Sequence, residues 1–132
     1  MKLIAQEASV GCAIACAASL TSLSYKQMRS YFDNAKREST TGFYNRDIIK
    51  ALSKSKITAR ASSIKRFGKR SIKIGTVVFI KPSKKYLAGH YLLKTKNGWM
   101  NPWINYPNIN PAKAGYQKKL LGKVAWVILT VK

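Results

Sequence analysis

The sequence has very few acidic residues and a single histidine. Among its 132 residues are 25 lysines and arginines but only four carboxylates, and no carboxylate follows position 47. The chain therefore offers very few carboxylates from which a carboxylate-based metal site, or a glycosidase site built on two carboxylates, could form. One histidine and two cysteines also fall short of the four ligands of a closed zinc site. We expect no metal and no cofactor, so any chemistry must use thiol, imidazole, amide, hydroxyl or amine groups.

This imbalance gives the chain a formal net charge of +21 at pH 7. Such a surface attracts RNA, DNA, anionic lipid or an acidic protein, although it says little about the fold. A lysine-rich genome bias would leave glutamate common as well, yet Glu7 and Glu38 are the only two glutamates. The charge therefore favours a polyanionic or acidic partner.

A long hydrophobic run is also missing. The apolar N-terminus is interrupted at Gln6 and Glu7, and residues 8–20 are too short and too rich in small side chains to span a membrane. We expect no transmembrane segment and no signal peptide. Cys12 and Cys16, one turn apart on a predicted helix, are poorly placed for a mutual disulfide, which fits a reducing compartment such as the cytoplasm.

The first half of the chain has the pattern of helices. An alanine-rich stretch follows Gly11, and Ser24 and Asn45 are suitable residues for the start of further helices. We predict helices over residues 12–23, 25–33 and 45–53. No repeat or low-complexity linker divides the chain, and its length suits one compact domain over residues 1–132.

The second half has the pattern of strands, which we predict over residues 57–62, 75–81, 89–95, 99–103 and 120–131. Asn97-Gly98 is the strongest hairpin signal in the chain, and it predicts that Lys96 pairs with Trp99. Residues 65–73 and the segment up to about residue 117 are expected to be loops. The order indicates an α+β fold in which N-terminal helices pack on a mostly antiparallel sheet.

Three residues on these elements can together form a nucleophilic site. Cys12 begins the first helix, where the helix dipole and unpaired N–H groups are expected to lower the pKa of a thiol. His90 begins a predicted strand, and Asn101 lies on the neighbouring strand, where its amide oxygen can accept the imidazole N–H. Each residue alone also has an ordinary explanation: a buried thiol, a packed histidine and a turn asparagine before proline.

Gln6 is a fourth candidate, six residues before Cys12. A turn between the two would bring the Gln6 amide back over the helix start. There it can donate, together with the Cys12 backbone N–H, to a developing oxyanion. Taken alone, Gln6 is better explained as an ordinary exposed glutamine.

The order of these residues resembles that of papain-like cysteine peptidases. In particular it resembles the peptidase domains that cut double-glycine leaders at the front of bacteriocin exporters. Those domains carry a Gln six residues ahead of a Cys that opens an Ala-rich helix, as Gln6 and Cys12 do here. They continue with a central apolar strand, a His-led strand and an Asp-Pro, where this chain has residues 76–80, His90 and Asn101-Pro102.

The Asn101-Pro102-Trp103 segment also resembles the Asn-Ser-Trp of the papain branch, in which the Trp shields the His–Asn bond. The chain departs from the family at the nucleophile, where Gly11-Cys12-Ala13 replaces the usual Asp-Cys-Gly. Its His–Asn spacing of eleven residues is short, and the exporter peptidases have no comparable basic excess.

The first hypothesis is a thiol-dependent hydrolase, a cysteine peptidase acting on a peptide or protein. Cys12 attacks, His90 serves as base and then acid, Asn101 orients His90, and Gln6 completes the oxyanion hole. The resemblance implies recognition of small residues before the scissile bond.

The second hypothesis is a basic bacterial toxin or effector domain on the same fold, acting as a ribonuclease, on a translation-associated substrate or on a side-chain amide. Its partners would be RNA and an acidic immunity protein, and it would be secreted or delivered without its own signal peptide. Phosphates would bind a set of basic residues and bases would stack on aromatic ones, namely Lys65, Arg66, Lys69, Arg70, Lys84 and Lys85 with Tyr86, Trp99 or Trp103. The third hypothesis is a non-enzymatic binding module with a relic site.

Overall fold

A computed structural model describes residues 1–69 and 72–131. Its helices are α1 (Cys12–Thr21), α2 (Tyr25–Arg29), a 3₁₀ helix (Ala35–Ser39), α3 (Asn45–Lys54) and α4 (Ile64–Phe67). Its strands are β1 (Ala59–Ser63), β2 (Val77–Ile80), β3 (His90–Thr95), β4 (Gly98–Asn101), β5 (Gly115–Gln117) and β6 (Val124–Thr130). Within the described ranges, no helix is long and apolar enough to cross a membrane.

The strands form one sheet in the order β1-β6-β2-β3-β4-β5, and all neighbouring strands are antiparallel. Helices α1 and α3 pack on one face, against β3 and β1 respectively, and the short α4 packs against β1 and β6. Alternating strand residues divide the core between the two faces. The helix-side core includes Val77, Leu93, Met100 and Ile128, and the other core includes Val78, Ile80, Leu92 and Val127. The predicted α+β fold, with helices first and an antiparallel sheet after them, is confirmed.

Helix α1 is buried on nearly all sides because its residues are small and apolar. It ends at Thr21 rather than at residue 23, since Ser22 adopts a left-handed conformation with φ of 62° and its N–H bonds the carbonyl of Ala18. The predicted N-cap at Ser24 is present as a capping box with Gln27. Helix α2 is nevertheless shorter than predicted and ends at Arg29.

The register of the β3–β4 hairpin differs from the prediction. Lys94 pairs with Trp99 and Thr95 pairs with Gly98, so the pairing of Lys96 with Trp99 was wrong. Gly98 therefore begins β4 instead of occupying the turn. Its φ of 107° and the Gln117 carbonyl, 2.6 Å from where a Cβ would lie, exclude a larger residue. In the corrected register, each residue of β4 lies opposite a β3 residue that is two positions closer to His90.

Two elements were not predicted. Helix α4 forms inside the expected loop 65–73, where the Ser63 side chain accepts the N–H of Arg66 and caps it. Strand β5 forms inside the expected loop before residue 117 and pairs with β4. Strand β4 in turn ends at Asn101, so the predicted continuation to residue 103 is wrong.

Candidate active site

Cys12 is the first residue of α1, directly after Gly11. The turn before it is tight, because a Cβ on Gly11 would lie 2.3 Å from the Tyr25 hydroxyl oxygen. That hydroxyl donates to the buried Glu38 carboxylate at 2.9 Å, which also pairs with Arg29. The backbone carbonyl of Glu38 accepts the N–H of Val10, so Glu38 also holds the turn before Cys12 through its main chain. A side chain at position 11, directly before Cys12, would therefore collide with the Tyr25 hydroxyl.

Burial reverses the expected acidity of Cys12. The helix N-terminus does supply backbone N–H groups to the thiol, from Cys12 itself and Ala13, and the N–H of Tyr91 adds a third. Desolvation nevertheless dominates and raises the pKa of Cys12 to about 11. The expectation of a lowered pKa was wrong, because only 7% of the residue's surface reaches solvent. Cys16 is fully buried one turn further on, and burial raises its pKa as well.

His90 opens β3 and is almost completely buried. Burial lowers its pKa to about 4, against a hydrogen bond with Asn101 that raises the pKa, and the charge of Lys85 lowers it further. The residue before it has no room for a side chain: a Cβ on Gly89 would lie 2.2 Å from the Phe79 ring, and the φ of Gly89 is 78°. At neutral pH, His90 is therefore an uncharged imidazole.

The Cys12 thiol is linked to the strand that carries His90 through the backbone of β3, and no hydrogen bond joins the thiol to the imidazole within residues 1–69 and 72–131. Helix α1 packs on this strand, and the Tyr91 N–H that bonds the Cys12 thiol belongs to the residue directly after His90. The start of α1 therefore lies beside the start of β3, and a direct contact between the Cys12 thiol and the His90 imidazole stays a prediction.

Asn101 ends β4 and is fully buried. Its Oδ1 lies 2.8 Å from His90 Nε2 and accepts the Trp103 N–H at 2.9 Å. Its Nδ2 donates to Gln117 Oε1 at 2.8 Å and to the Tyr86 hydroxyl at 3.2 Å. All four contacts agree on the orientation of the amide.

This network fixes the tautomer of His90. Because Asn101 Oδ1 can only accept, His90 Nε2 must carry the proton when the ring is neutral. The lone pair is then on Nδ1. A neutral ring with a free Nδ1 is the form that can take a proton from a neighbouring thiol.

Two residues of this network were not predicted in this role: Tyr86 was proposed only to stack on nucleic-acid bases, and Gln117 was not proposed as a site residue. The Tyr86 ring stacks on the His90 ring with centroids 4.0 Å apart and an angle of 3°. Tyr86 belongs to the loop between β2 and β3, and Gln117 belongs to the unpredicted β5, so no local pattern marked either one. Only the strand order that places β5 beside β4 brings Gln117 to Asn101.

Gln6 is buried beside this network, and its backbone N–H donates to the carbonyl of Pro102 at 3.1 Å. Its Nε2 donates to the carbonyls of Ala8 and Ser9, at 2.9 and 3.1 Å, in the turn that leads to Cys12. Its Oε1 is buried without a hydrogen-bond partner in the described part of the chain. Gln6 therefore lies against the turn before Cys12 with both amide hydrogens engaged.

A narrow cavity of about 30 Å³ opens beside Cys12. A groove of about 470 Å³ shares the walls Phe43, Phe79 and Tyr91 with it and reaches the exposed rings of Tyr44 and Trp126. Such a cavity is about large enough for one water molecule or a residue with almost no side chain. Its walls come from the turn before Cys12, the 41–43 turn and the start of β3, and include Val10, Gly42, Phe43, Phe79, Ala88 and Gly89.

The aromatic residues proposed to stack on bases are not available for that role. Tyr86, Trp99 and Trp103 are each at most 7% exposed. Tyr86 stacks on His90, and Trp103 Nε1 donates to the Asn108 carbonyl at 2.8 Å. The proposed stacking was wrong because these rings belong to the core. Of the proposed phosphate-binding residues, Arg70 lies outside the described residues.

Known structures provide a comparison for this arrangement. The chain is similar to the crystal structure of the peptidase domain of Streptococcus ComA, a bi-functional ABC transporter involved in a quorum-sensing pathway, with a TM-score of 0.62, 15% identity, and 98% and 96% of the two chains covered. The chain has the fold of the ComA peptidase domain. The peptidase domain of Streptococcus mutans ComA matches over the whole length of both chains, with a TM-score of 0.58 and 15% identity.

The sequence comparisons found less. No family model matches the chain, and no curated protein matches it significantly. The resemblance to exporter peptidase domains, first indicated by about ten residues, is confirmed by the ComA peptidase-domain fold. Within residues 1–69 and 72–131, no group of three His, Cys, Asp or Glu side chains is placed to hold a metal ion.

Proposed function

We propose that this chain is a thiol-dependent hydrolase of the cysteine peptidase type, with Cys12 as nucleophile, His90 as general base and acid, and Asn101 as the residue that orients His90. The observation that carries the proposal is the hydrogen-bond network of Asn101, which leaves His90 Nδ1 free to accept a proton. The ComA peptidase-domain fold supports it.

The pKa directions favour a neutral resting pair. Burial keeps the Cys12 thiol protonated and the His90 imidazole uncharged at pH 7. The thiol proton therefore moves to His90 Nδ1 as Sγ attacks the substrate carbonyl carbon. The imidazolium then gives this proton to the leaving amine, which leaves a thioester on Cys12. A water molecule attacks the thioester, passes a proton through His90 back to the thiol, and releases the acid product.

The oxyanion of the tetrahedral intermediate needs donors near Sγ. The backbone N–H of Cys12 is one, at the start of α1. We assign the second to Gln6 Nε2, which leaves the carbonyl of Ala8 or Ser9 when the substrate carbonyl arrives. Because Oε1 has no hydrogen-bond partner in the described part of the chain, this exchange breaks bonds of Nε2 only.

The narrow cavity beside Cys12 supports a preference for small residues before the scissile bond. A residue with a side chain must displace the walls near Gly42 and Gly89, and Gly89 already lies against Phe79. Glycine or alanine is therefore the expected residue there. The wider groove towards Tyr44 and Trp126 can hold further residues of the substrate.

Peptide cleavage tests this proposal directly. We expect cleavage of peptides with Gly or Ala before the scissile bond, and none of matched peptides with Leu or Phe there. Cys12→Ala should abolish cleavage, and Cys16→Ala is the matched control, because it removes the second buried thiol one turn along α1. Cleavage that persists in Cys12→Ala at the wild-type rate contradicts the nucleophile assignment.

The net charge of +21 favours a second candidate, the basic toxin or effector domain with RNA or an acidic immunity protein as partner. Among the described residues, only four basic side chains form ion pairs: Lys50 and Lys54 with Asp33, Arg29 with Glu38, and Arg37 with Asp47. Total RNA incubated with wild type and Cys12→Ala separates the candidates. RNA cleavage that needs Cys12 supports the toxin, and its absence together with peptide cleavage supports the peptidase.

A further inference from the structure

Tyr86 is the residue that contacts both His90 and Asn101. Its ring lies parallel to the His90 imidazole, with centroids 4.0 Å apart. Its hydroxyl accepts from Asn101 Nδ2 at 3.2 Å and donates to the Trp103 carbonyl at 3.1 Å. One side chain therefore restrains the ring of the candidate base and the amide of its partner. The ring is only 4% exposed, so it also separates His90 from water on that side.

Hydrogen bonds within the loop between β2 and β3 hold Tyr86 in this position. The Tyr86 N–H donates to Ser83 Oγ at 3.1 Å, and its carbonyl accepts the N–H groups of Ser83 and Gly89. The second of these bonds closes a turn that reverses the chain just before His90. The positive φ of Gly89 completes the turn. Tyr86 is thus tied to the strand start that it covers.

We propose that Tyr86 is a positioning residue. Its ring restrains the plane of the His90 imidazole and shields it from water, and its hydroxyl fixes the Asn101 amide so that Nε2 of His90 keeps the proton. This inference rests on the proposed hydrolase function. It adds a residue that lies outside the order of Gln, Cys, His and Asn on which the resemblance was built.

The two parts of Tyr86 act on different properties of His90. The stacked ring contributes to the burial that lowers the His90 pKa. The hydroxyl acts on the tautomer, because without it Asn101 Nδ2 keeps only Gln117 as an acceptor. The charged and titratable groups near His90 are Tyr86 itself and Lys85, whose ammonium lies 5.6 Å from the Tyr86 ring centroid. The Cys12 thiol is bonded by the N–H of the next residue, Tyr91.

The single histidine makes this inference measurable without any substrate. In full-length protein labelled with ¹⁵N-histidine, the only imidazole signals belong to His90. Their chemical shifts report the tautomer and their pH dependence gives the pKa. For the wild type we expect the Nε2–H tautomer and a midpoint near pH 4.

Two substitutions separate the ring from the hydroxyl. Tyr86→Leu removes the stacked ring, and we expect the His90 midpoint to rise by about one pH unit or more towards 6.5. Tyr86→Phe keeps the ring, so the midpoint should stay while the minor tautomer grows and kcat falls about tenfold at unchanged KM. Tyr106→Phe is the matched control, because Tyr106 touches the Tyr86 ring edge-on and its hydroxyl bonds neither His90 nor Asn101 in the described structure.

A folded Tyr86→Leu protein with the wild-type His90 midpoint overturns the role of the ring. A Tyr86→Phe protein with the wild-type tautomer overturns the role of the hydroxyl, and this arm decides the inference if Tyr86→Leu does not fold. If wild type cleaves no peptide but the His90 signals respond as expected, the proposed function fails and the positioning of His90 stands.

Discussion

Asn101 Oδ1 lies 2.8 Å from His90 Nε2 across the start of β3 and the end of β4. The corrected hairpin register places Asn101 opposite residue 92, on the same face as His90 and diagonally adjacent to it. With the predicted register, Asn101 would instead have been opposite residue 94. The pairing that defines the candidate site therefore depends on a turn of Lys96 and Asn97, rather than Asn97 and Gly98.

This relationship predicts the effect of Asn101→Ala. Removing the amide releases His90 to either tautomer and either ring orientation, so we expect kcat for peptide hydrolysis to fall by about 100-fold, the lower end of what a positioned general base contributes. Asn97→Ala is the matched control, because Asn97 lies exposed at the tip of the same hairpin. Steady-state kinetics measure both, and equal rates for Asn101→Ala and wild type contradict the orienting role.

The pKa of Cys12 predicts how the thiol reacts. With a pKa of about 11, very little thiolate exists at pH 7, and alkylation by iodoacetamide should accelerate about tenfold per pH unit up to roughly pH 10. Mass spectrometry of the alkylated chain gives the rates. The Cys16→Ala variant should show the same pH dependence of alkylation as the wild type, because Cys16 is fully buried and reacts more slowly than Cys12. A rate that is already constant between pH 5 and 7 indicates an ion pair with His90 instead.

His90 predicts a loss of stability in mild acid. Its pKa is about 4 when folded and 6.5 in the unfolded chain, so the unfolded state binds more protons between these values and stability falls as pH falls. From pH 6.5 to pH 5 the loss is about 2 kcal/mol at the usual 1.4 kcal/mol per unit. Urea unfolding at the two pH values measures it.

His90→Gln is the control for this loss, because it removes the imidazole from a chain that has no other histidine. Its free energy of unfolding should change by less than about 0.5 kcal/mol over the same range, since carboxyl groups mostly titrate at lower pH. A loss of equal size in His90→Gln assigns the pH dependence to other groups.

Gly11 predicts a steric effect in the turn before Cys12. A Cβ there would lie 2.3 Å from the Tyr25 hydroxyl oxygen, so Gly11→Ala should lower the free energy of unfolding by about 2 kcal/mol. Gly122→Ala is the control, because its Cβ would meet Ile80 at an ordinary 3.4 Å.

A double-mutant cycle tests the cause. In the Tyr25→Phe background the obstructing oxygen is gone, and Gly11→Ala should then cost less than about 1 kcal/mol. An undiminished cost in that background means that the backbone of the turn, and not Tyr25, requires glycine.

Several features followed from sequence pattern alone. The small apolar residues after Gly11 predicted a buried helix that starts at Cys12, and the apolar run before Pro82 predicted the central strand β2. The ends of the helices were less predictable from the sequence. Helix α1 stops at Ser22 and α2 at Arg29, where backbone conformation and packing override helix propensity. Helix α4 and β5 are short and form on contacts with distant strands, which local pattern does not contain.

By itself, the sequence determined the chemical inventory of this protein: one imidazole, two thiols one turn apart, four carboxylates and a large basic excess. It also determined the order in which a helix-start cysteine, a strand-start histidine and an asparagine follow one another. These are properties of composition and of neighbours along the chain.

Only the tertiary structure decided the protonation of those groups and their hydrogen-bond partners. The dipole and N–H groups at the start of α1 are local and favour a thiolate, but the strands and turns packed around Cys12 remove water and raise its pKa. Likewise, Tyr86 and Gln117 reach Asn101 only because the β2–β3 loop and β5 lie beside β4. Desolvation and long-range hydrogen bonds depend on which segments meet in space, so the acidity of Cys12 and the tautomer of His90 are properties of the fold.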